Sequence, residues 1–306
     1  MLEIYDDYAK LCLKDIQIEK LFLEITSECN YKCLHCFNSC ENGGKNTDYN
    51  VIEDIIKKSS EKKIEQIIIS GGEPFLSDDL EKIIGLCIDY KFKTRIITNG
   101  SIINEEILKK CIVNNIELQL TLNGSSAQID EKIRHRGSFR NSVLFMEKIK
   151  EMGGSKLLFV STCICKQNIN DIYNIIELVK KYTPQSHILS FVQKMGRATN
   201  NWKQLRVDLE KQLEILNHIA RYENEDDLNI TLSGMYFIKT LFGEVKKNMD
   251  IEKKVIEEIA IRFDSLIDFS EELNQYCDTE KERIYEKVKW SSDFFDKEHY
   301  IFLEET

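Results

Sequence analysis

Apolar positions between residues 21 and 195 alternate between two rhythms. Short β-branched or leucine-rich runs read as six strands: LFLEIT (21–26), IEQIII (64–69), KTRIIT (93–98), IELQLTL (116–122), KLLFVSTCI (156–164) and HILSFVQ (187–193). Between them, apolar residues recur at helical spacing over about 50–63, 77–90, 104–114, 140–152 and 169–182. The first of these stretches carries Val51, Ile52, Ile55 and Ile56; the fourth ends at Gly153-Gly154, suited to a C-cap, and the fifth stops before Pro184. Strands alternating with helices of this length predict βαβ units and a parallel sheet. The region spans about 175 residues, short of the roughly 250 of a full eightfold barrel, so an incomplete barrel or an open twisted sheet is expected. After residue 200 no strand pattern continues, and stretches at about 201–224, 233–247, 250–268 and 270–290 predict helices. The expected division is a β/α unit over residues 1–198 and a mainly helical extension over 199–306.

Charge sharpens that division. The 306-residue chain has a net charge of −10, and residues 201–306 carry 15 basic against 25 acidic side chains, so residues 1–200 are balanced. No part is strongly basic, which argues against sequence-independent nucleic-acid binding. Hydrophobic residues make up 42%, enough for a large core, yet no apolar run approaches the roughly 18 residues of a membrane helix. The opening MLEIYDDYAKLCLKD is acidic where a signal peptide is basic, so a cytoplasmic protein is expected.

Ten cysteines in such a chain are not read as a disulfide framework. Cys87 and Cys111 lie on amphipathic helical stretches and suit core packing. Cys29, Cys33, Cys36 and Cys40 crowd one loop after the first strand and ask for a metal. Further motifs also follow strands: Gly71-Gly72-Glu73-Pro74, Thr98-Asn99-Gly100, Thr121-Leu122-Asn123-Gly124, Cys163 with Cys165, and Met195-Gly196-Arg197. In a parallel β/α sheet all strand C-termini share one edge, so these motifs converge on one site. Cys29, Cys33 and Cys36 form a CxxxCxxC that can hold three irons of a [4Fe-4S] cube and leave the fourth open. Zinc is the alternative, with Cys40 or His35 as fourth ligand, and a closed four-cysteine cluster is another.

The CxxxCxxC after the first strand together with GGEP after the second resembles the radical S-adenosylmethionine (SAM) superfamily, over about residues 18–198. That resemblance implies a partial (β/α)6 barrel in which Cys29, Cys33 and Cys36 bind a [4Fe-4S] cluster and SAM chelates the open iron. One-electron cleavage of SAM then yields a 5′-deoxyadenosyl radical that abstracts hydrogen from substrate. Glu73 is expected to meet the SAM ammonium, Gly71 and Gly72 to admit its methionyl part, and Phe37 to lie near the adenine; as plain structure, the glycines make a turn and Phe37 a core aromatic. The segment LTLNGSSAQIDEKIRHRGSF (120–139) resembles peptide- and protein-modifying members. It implies SAM contacts from Thr121 and Asn123, and from Arg134 at the SAM carboxylate, against a solvated helix charge as the plain reading. Asn99 is expected to support the loop or form a turn, and Asn168 or Asn170 and Gly196-Arg197-Ala198 also resemble that group.

Two features depart from or go beyond this pattern. Such relatives often carry a cysteine-rich C-terminal extension for auxiliary clusters, whereas Cys277 is the single cysteine after residue 200. Cys163 and Cys165, expected to point the same way from a strand, are candidate hydrogen-atom donors or core residues, with weaker cases for Cys12 and Cys40. His135, His187, His218 and His299 form no usable pattern. The expected activity is a radical SAM oxidoreductase acting on a peptide or protein, by crosslinking, epimerisation or oxidation, with a flavodoxin- or ferredoxin-type electron donor. The alternative is a degenerate cluster- or zinc-binding recognition protein without turnover.

Overall fold

The computed structural model describes residues 20–62, 64–208, several positions between 211 and 219, 228–232 and 300–302. Seven parallel strands lie side by side in chain order: β1 (Lys20–Glu24), β2 (Gln66–Ser70), β3 (Lys93–Thr98), β4 (Glu117–Thr121), β5 (Leu158–Ile164), β6 (Ser186–Phe191) and β7 (Ile230–Leu232). A short strand β8 (Tyr300–Phe302) pairs in parallel with the outer side of β1. Helices α1 (Tyr49–Glu61), α2 (Leu80–Asp89), α3 (Glu105–Val113), α4 (Ala127–Ile133), α5 (Ser138–Glu151), α6 (Ile172–Lys180) and α7 (Arg197–Leu205) run between the strands. Sequential order with right-handed crossovers stacks the crossover helices on one face of the sheet, which is the winding of a partial barrel.

Burial follows from that winding. Along β1, β4 and β5 alternate residues are buried, and Leu21, Leu23, Leu118, Leu120, Leu158 and Val160 join one core with helix residues such as Ile52, Ile84, Leu108, Phe145 and Ile175. Register keeps these rows aligned, with Leu21 beside Ile67, Ile96 beside Leu118 and Leu118 beside Leu158. The alternate face carries Phe22, Arg95, Gln119, Thr121, Ser161 and Cys163, all partly exposed. Toward the strand N-termini that face is closed by Arg95, which binds Glu117 at 2.6–2.7 Å and lies 4.0 Å from the Phe159 ring centre. Caps are local: Asp48 accepts from Asn50 N ahead of α1, and Asn104 accepts from Glu106 N and Ile107 N ahead of α3.

Three expectations need correcting. Two strands do follow residue 200: β7 pairs with β6, setting Ile230 beside His187, and β8 pairs with β1. Three residues each are too few to show a period of two, which hid them. The segment between β4 and β5 folds as two helices, the first being α4, where one helix was expected. β5 ends at Ile164, so strand alternation does not carry on to Cys165. The expected helices over 233–247, 250–268 and 270–290, together with Cys12, His218, Cys277 and His299, lie outside the described residues.

Candidate active site

The cysteine loop leaves β1 and is pinned from three directions. Cys29 N donates to Glu41 O (3.2 Å), and Leu34 N donates to Ile133 O (2.8 Å) at the end of α4. From α7, Arg197 donates its backbone N–H to Cys36 O (2.8 Å) and its guanidinium to Cys33 O (2.9 Å), Ser39 O (2.9 Å) and Cys40 O (2.6 Å). Gly196 has φ +52°, and a Cβ there would stand 2.0 Å from Phe37 O. The Gly196-Arg197 pair therefore acts as a clamp on the loop. Phe37 is 44% exposed, which corrects the core-aromatic reading.

The GGEP turn after β2 locks onto the same loop. Gly72 N donates to Thr26 O (2.7 Å) and Glu73 N to Glu28 O (2.8 Å). A Cβ at Gly71 would lie 2.2 Å from Thr26 O, and one at Gly72 would lie 2.0 Å from Glu28 O. What these glycines admit in the structure is the backbone of the cysteine loop itself. Glu73 is fully buried. Its carboxyl accepts from Phe75 N (3.2 Å), Thr98 Oγ1 (2.8 Å) and Asn99 N (2.6 Å), and burial pushes it up to about 7. Asn99 in turn donates to Asn30 Oδ1 (3.0 Å) and toward Cys29 Sγ (3.8 Å). It thus braces the cysteine loop, and its Oδ1 also accepts from Ser101 N (2.8 Å) in a local turn.

Arg134 is 4% exposed, so it is not a solvated helix charge. It donates to Asn99 O (2.7 Å) and Ser142 Oγ (2.8 Å), lies 3.6 Å from Asp130, and stands 5.4 Å from the Tyr31 ring centre. Each terminal nitrogen thus has one protein acceptor, while the buried Nε is unpartnered. Asp130, also fully buried, accepts from Asn123 N (2.7 Å) and from Ser138 Oγ. Asn123 shares 2.6 Å with His35 Nε2, accepts from Cys163 N (2.8 Å), and offers its carbonyl to Asn168 Nδ2 (2.9 Å). Burial lowers His35 to about 4, so the ring is neutral at pH 7 and its Nε2 can accept from the amide. Thr121 stands on the partly exposed face of β4.

The thiols differ by environment. Burial pushes Cys33 up to about 11, with the Arg134 guanidinium opposing, and raises Cys29. Hydrogen bonds from the Cys40 side chain and nearby backbone lower Cys36 to about 6, while the same contact and burial raise Cys40. Cys163 is partly exposed, and burial raises it. Cys165 is fully buried in a core cluster with Ile133, Val192 and Leu205, and Cys163 packs against the same cluster from a partly exposed position.

A profile of the radical SAM superfamily matches residues 23–179, which hold the cysteine loop and the GGEP turn. The chain belongs to the radical SAM superfamily. Its cofactors are accordingly a [4Fe-4S] cluster and SAM. Mycofactocin maturase MftC of Mycolicibacterium smegmatis is 24% identical over 199 residues, 64% of this chain and 50% of that protein. The sporulation killing factor maturation protein SkfB of Bacillus subtilis is 22% identical over 213 residues, 68% and 51% of the two chains. The chain thus spans about half the length of these relatives. In fold it is similar to Streptococcus suis SuiB bound to SAM, with TM-score 0.63 and 17% identity, covering 76% of this chain and 55% of that one.

The radical SAM cysteines fit an iron–sulfur cluster. All three are free thiols on one loop, packed together with Tyr31 and Cys40. Cys29 Sγ faces two N–H donors, Tyr31 N (3.5 Å) and Asn99 Nδ2, and Arg134 faces Cys33. Such donors stabilise charge on ligand sulfur. A [4Fe-4S] cube takes each thiolate on its own iron.

Sequence reasoning missed the His35–Asn123 pair and the buried Asp130. It also missed Asp171, which accepts from Ser125 N and Ser125 Oγ at 2.7 Å each. Asp130 lies within the family-like segment between Asn123 and Arg134, which was its available signal. Asp171 carried none, because it acts on a residue 46 positions away.

Proposed function

We propose that the chain is a radical SAM oxidoreductase that modifies a ribosomal peptide or protein. The observation that carries the reading is the docking of the cysteine loop, the GGEP turn and the end of β3 into one unit through Glu73 and Asn99. Cys29, Cys33 and Cys36 would hold the cluster irons. Bound together, the cluster and SAM supply reductive cleavage of SAM to methionine and a 5′-deoxyadenosyl radical, which takes hydrogen from substrate.

The chain's own residues order this site. Arg197 fixes the loop carbonyls, so the three thiols present a preformed set. Glu73, Thr121, Asn123 and Arg134 are proposed around SAM, with Phe37 at the adenine. Glu73 acts there mainly as a brace, because protein donors already fill most of its accepting capacity, whereas Arg134 keeps donors beyond its two protein hydrogen bonds. Cys163, partly exposed beside Thr121 and Ser161 on the same face of the sheet, is the better-placed hydrogen-atom donor. Cys165 is sealed in the core and serves packing.

A peptide substrate is supported by the relatives. MftC and SkfB are named as maturation proteins, and SuiB is also known bound to its precursor peptide SuiA. A flavodoxin- or ferredoxin-type protein is the proposed electron donor, and the cytoplasm the proposed compartment. Among the described residues no helix is long and apolar enough to cross a membrane. The test is to incubate the reconstituted enzyme with the short peptides encoded beside it and to record their masses in H2O and D2O. Loss of two hydrogens marks a crosslink or oxidation, and deuterium gain without other change marks epimerisation. No change in any peptide, with SAM still cleaved, points to another substrate.

A further inference from the structure

We propose that Cys36 and Cys40 form a reversible dithiol–disulfide pair in the cluster-free protein, which withholds one cluster ligand until it is reduced. The chain reverses between them: Ser39 adopts φ +57°, a left-handed conformation uncommon outside glycine. Arg197 holds both sides of that reversal, through its backbone N–H at Cys36 O (2.8 Å) and its guanidinium at Cys40 O (2.6 Å). Cys40 is 7% exposed, and Cys36 packs against the small cluster that Cys40 forms with Cys29 and Tyr31. The competing CxxC partner, Cys33, faces Arg134 instead.

The chemistry is thiol–disulfide exchange with a low-molecular-weight disulfide. The half-buried Cys36 sulfur attacks the disulfide and releases one small thiol, leaving a mixed disulfide. Cys40 then displaces the second small thiol and closes the Cys36–Cys40 bond. Two protein thiols are oxidised, one small disulfide is reduced to two thiols, and the protein protons leave on those thiols. The inference concerns the cluster-free chain and does not depend on which reaction the loaded enzyme performs.

The test treats full-length, cluster-free protein with oxidised glutathione, traps it with N-ethylmaleimide and maps its disulfides by mass spectrometry. The expected result is a Cys36–Cys40 bond at least about fivefold more abundant than any other pair, with about two equivalents of glutathione released per bond. Cys40→Ser, with an unchanged melting temperature, is expected to stop at glutathione on Cys36 and release about one equivalent. A dominant Cys33–Cys36 bond, a bond from Cys29, or no disulfide in the wild-type map overturns the proposal. That map needs no variant, so it stands even if Cys40→Ser misfolds.

Discussion

Asn99 donates its backbone N–H to Glu73 Oε2 at 2.6 Å, which joins the end of β3 to the turn after β2. Through Asn99 the same contact reaches Asn30 and Cys29 on one side and Arg134 on the other. Residues separated by over 100 positions thus share one hydrogen-bonded unit beneath the cysteine loop.

Glu73 gives that unit a pH dependence. Its folded-state value is raised from 4.5 to about 7 by burial, so the folded protein holds a proton that the unfolded chain has lost between those values. Stability from this group is present below pH 4.5 and falls as pH rises toward 7, by on the order of 3 kcal/mol. Urea unfolding of the cluster-free protein at pH 5 and pH 7.5 checks this. Glu73→Gln should flatten the difference.

Gly72→Ala should break the docking of the GGEP turn. Its Cβ would meet Glu28 O at 2.0 Å, and backbone cannot yield cheaply there. Iron content after reconstitution should drop several-fold, with a loss of about 2–4 kcal/mol in stability. Gly85→Ala in α2, where nothing lies within 4 Å, is the control and should be neutral or stabilising by up to about 1 kcal/mol.

Arg197→Ala should loosen the loop without touching a thiol. Three loop carbonyls lose their guanidinium donor. The cluster's visible absorbance should then bleach several-fold faster under a chelator than in the wild type. Arg197→Lys should rescue only part of the loss, because one ammonium cannot reproduce the fork.

Cys163 and Cys165 should separate. Cys165→Ala removes a fully buried sulfur and should cost about 1 kcal/mol in thermal or urea unfolding, whereas Cys163→Ala should cost little. If Cys163 supplies hydrogen to a substrate radical, Cys163→Ala keeps SAM cleavage but changes the peptide product.

The strands and most helices were legible because their apolar residues repeat at two or near 3.6 over enough positions. The convergence of the motifs followed from parallel topology alone. β7 was not legible, since Ile230–Leu232 is too short to show a period. Nor were the roles of Gly71 and Gly72, whose partners Thr26 and Glu28 are over 40 positions away. Nor were the bonds of Arg134 to Asn99 O and Ser142, which lie 35 and 8 positions away and which only the fold brings together.

Cys29, Cys33 and Cys36 are proposed to hold a cluster that cleaves SAM. Reconstituting the protein anaerobically, adding SAM and a low-potential reductant, and quantifying 5′-deoxyadenosine by mass spectrometry tests this at once. The wild type is expected to form it, and replacing any of the three cysteines with alanine is expected to abolish it. No 5′-deoxyadenosine from a wild-type protein holding a full iron complement, or undiminished formation in the variants, would contradict the proposal.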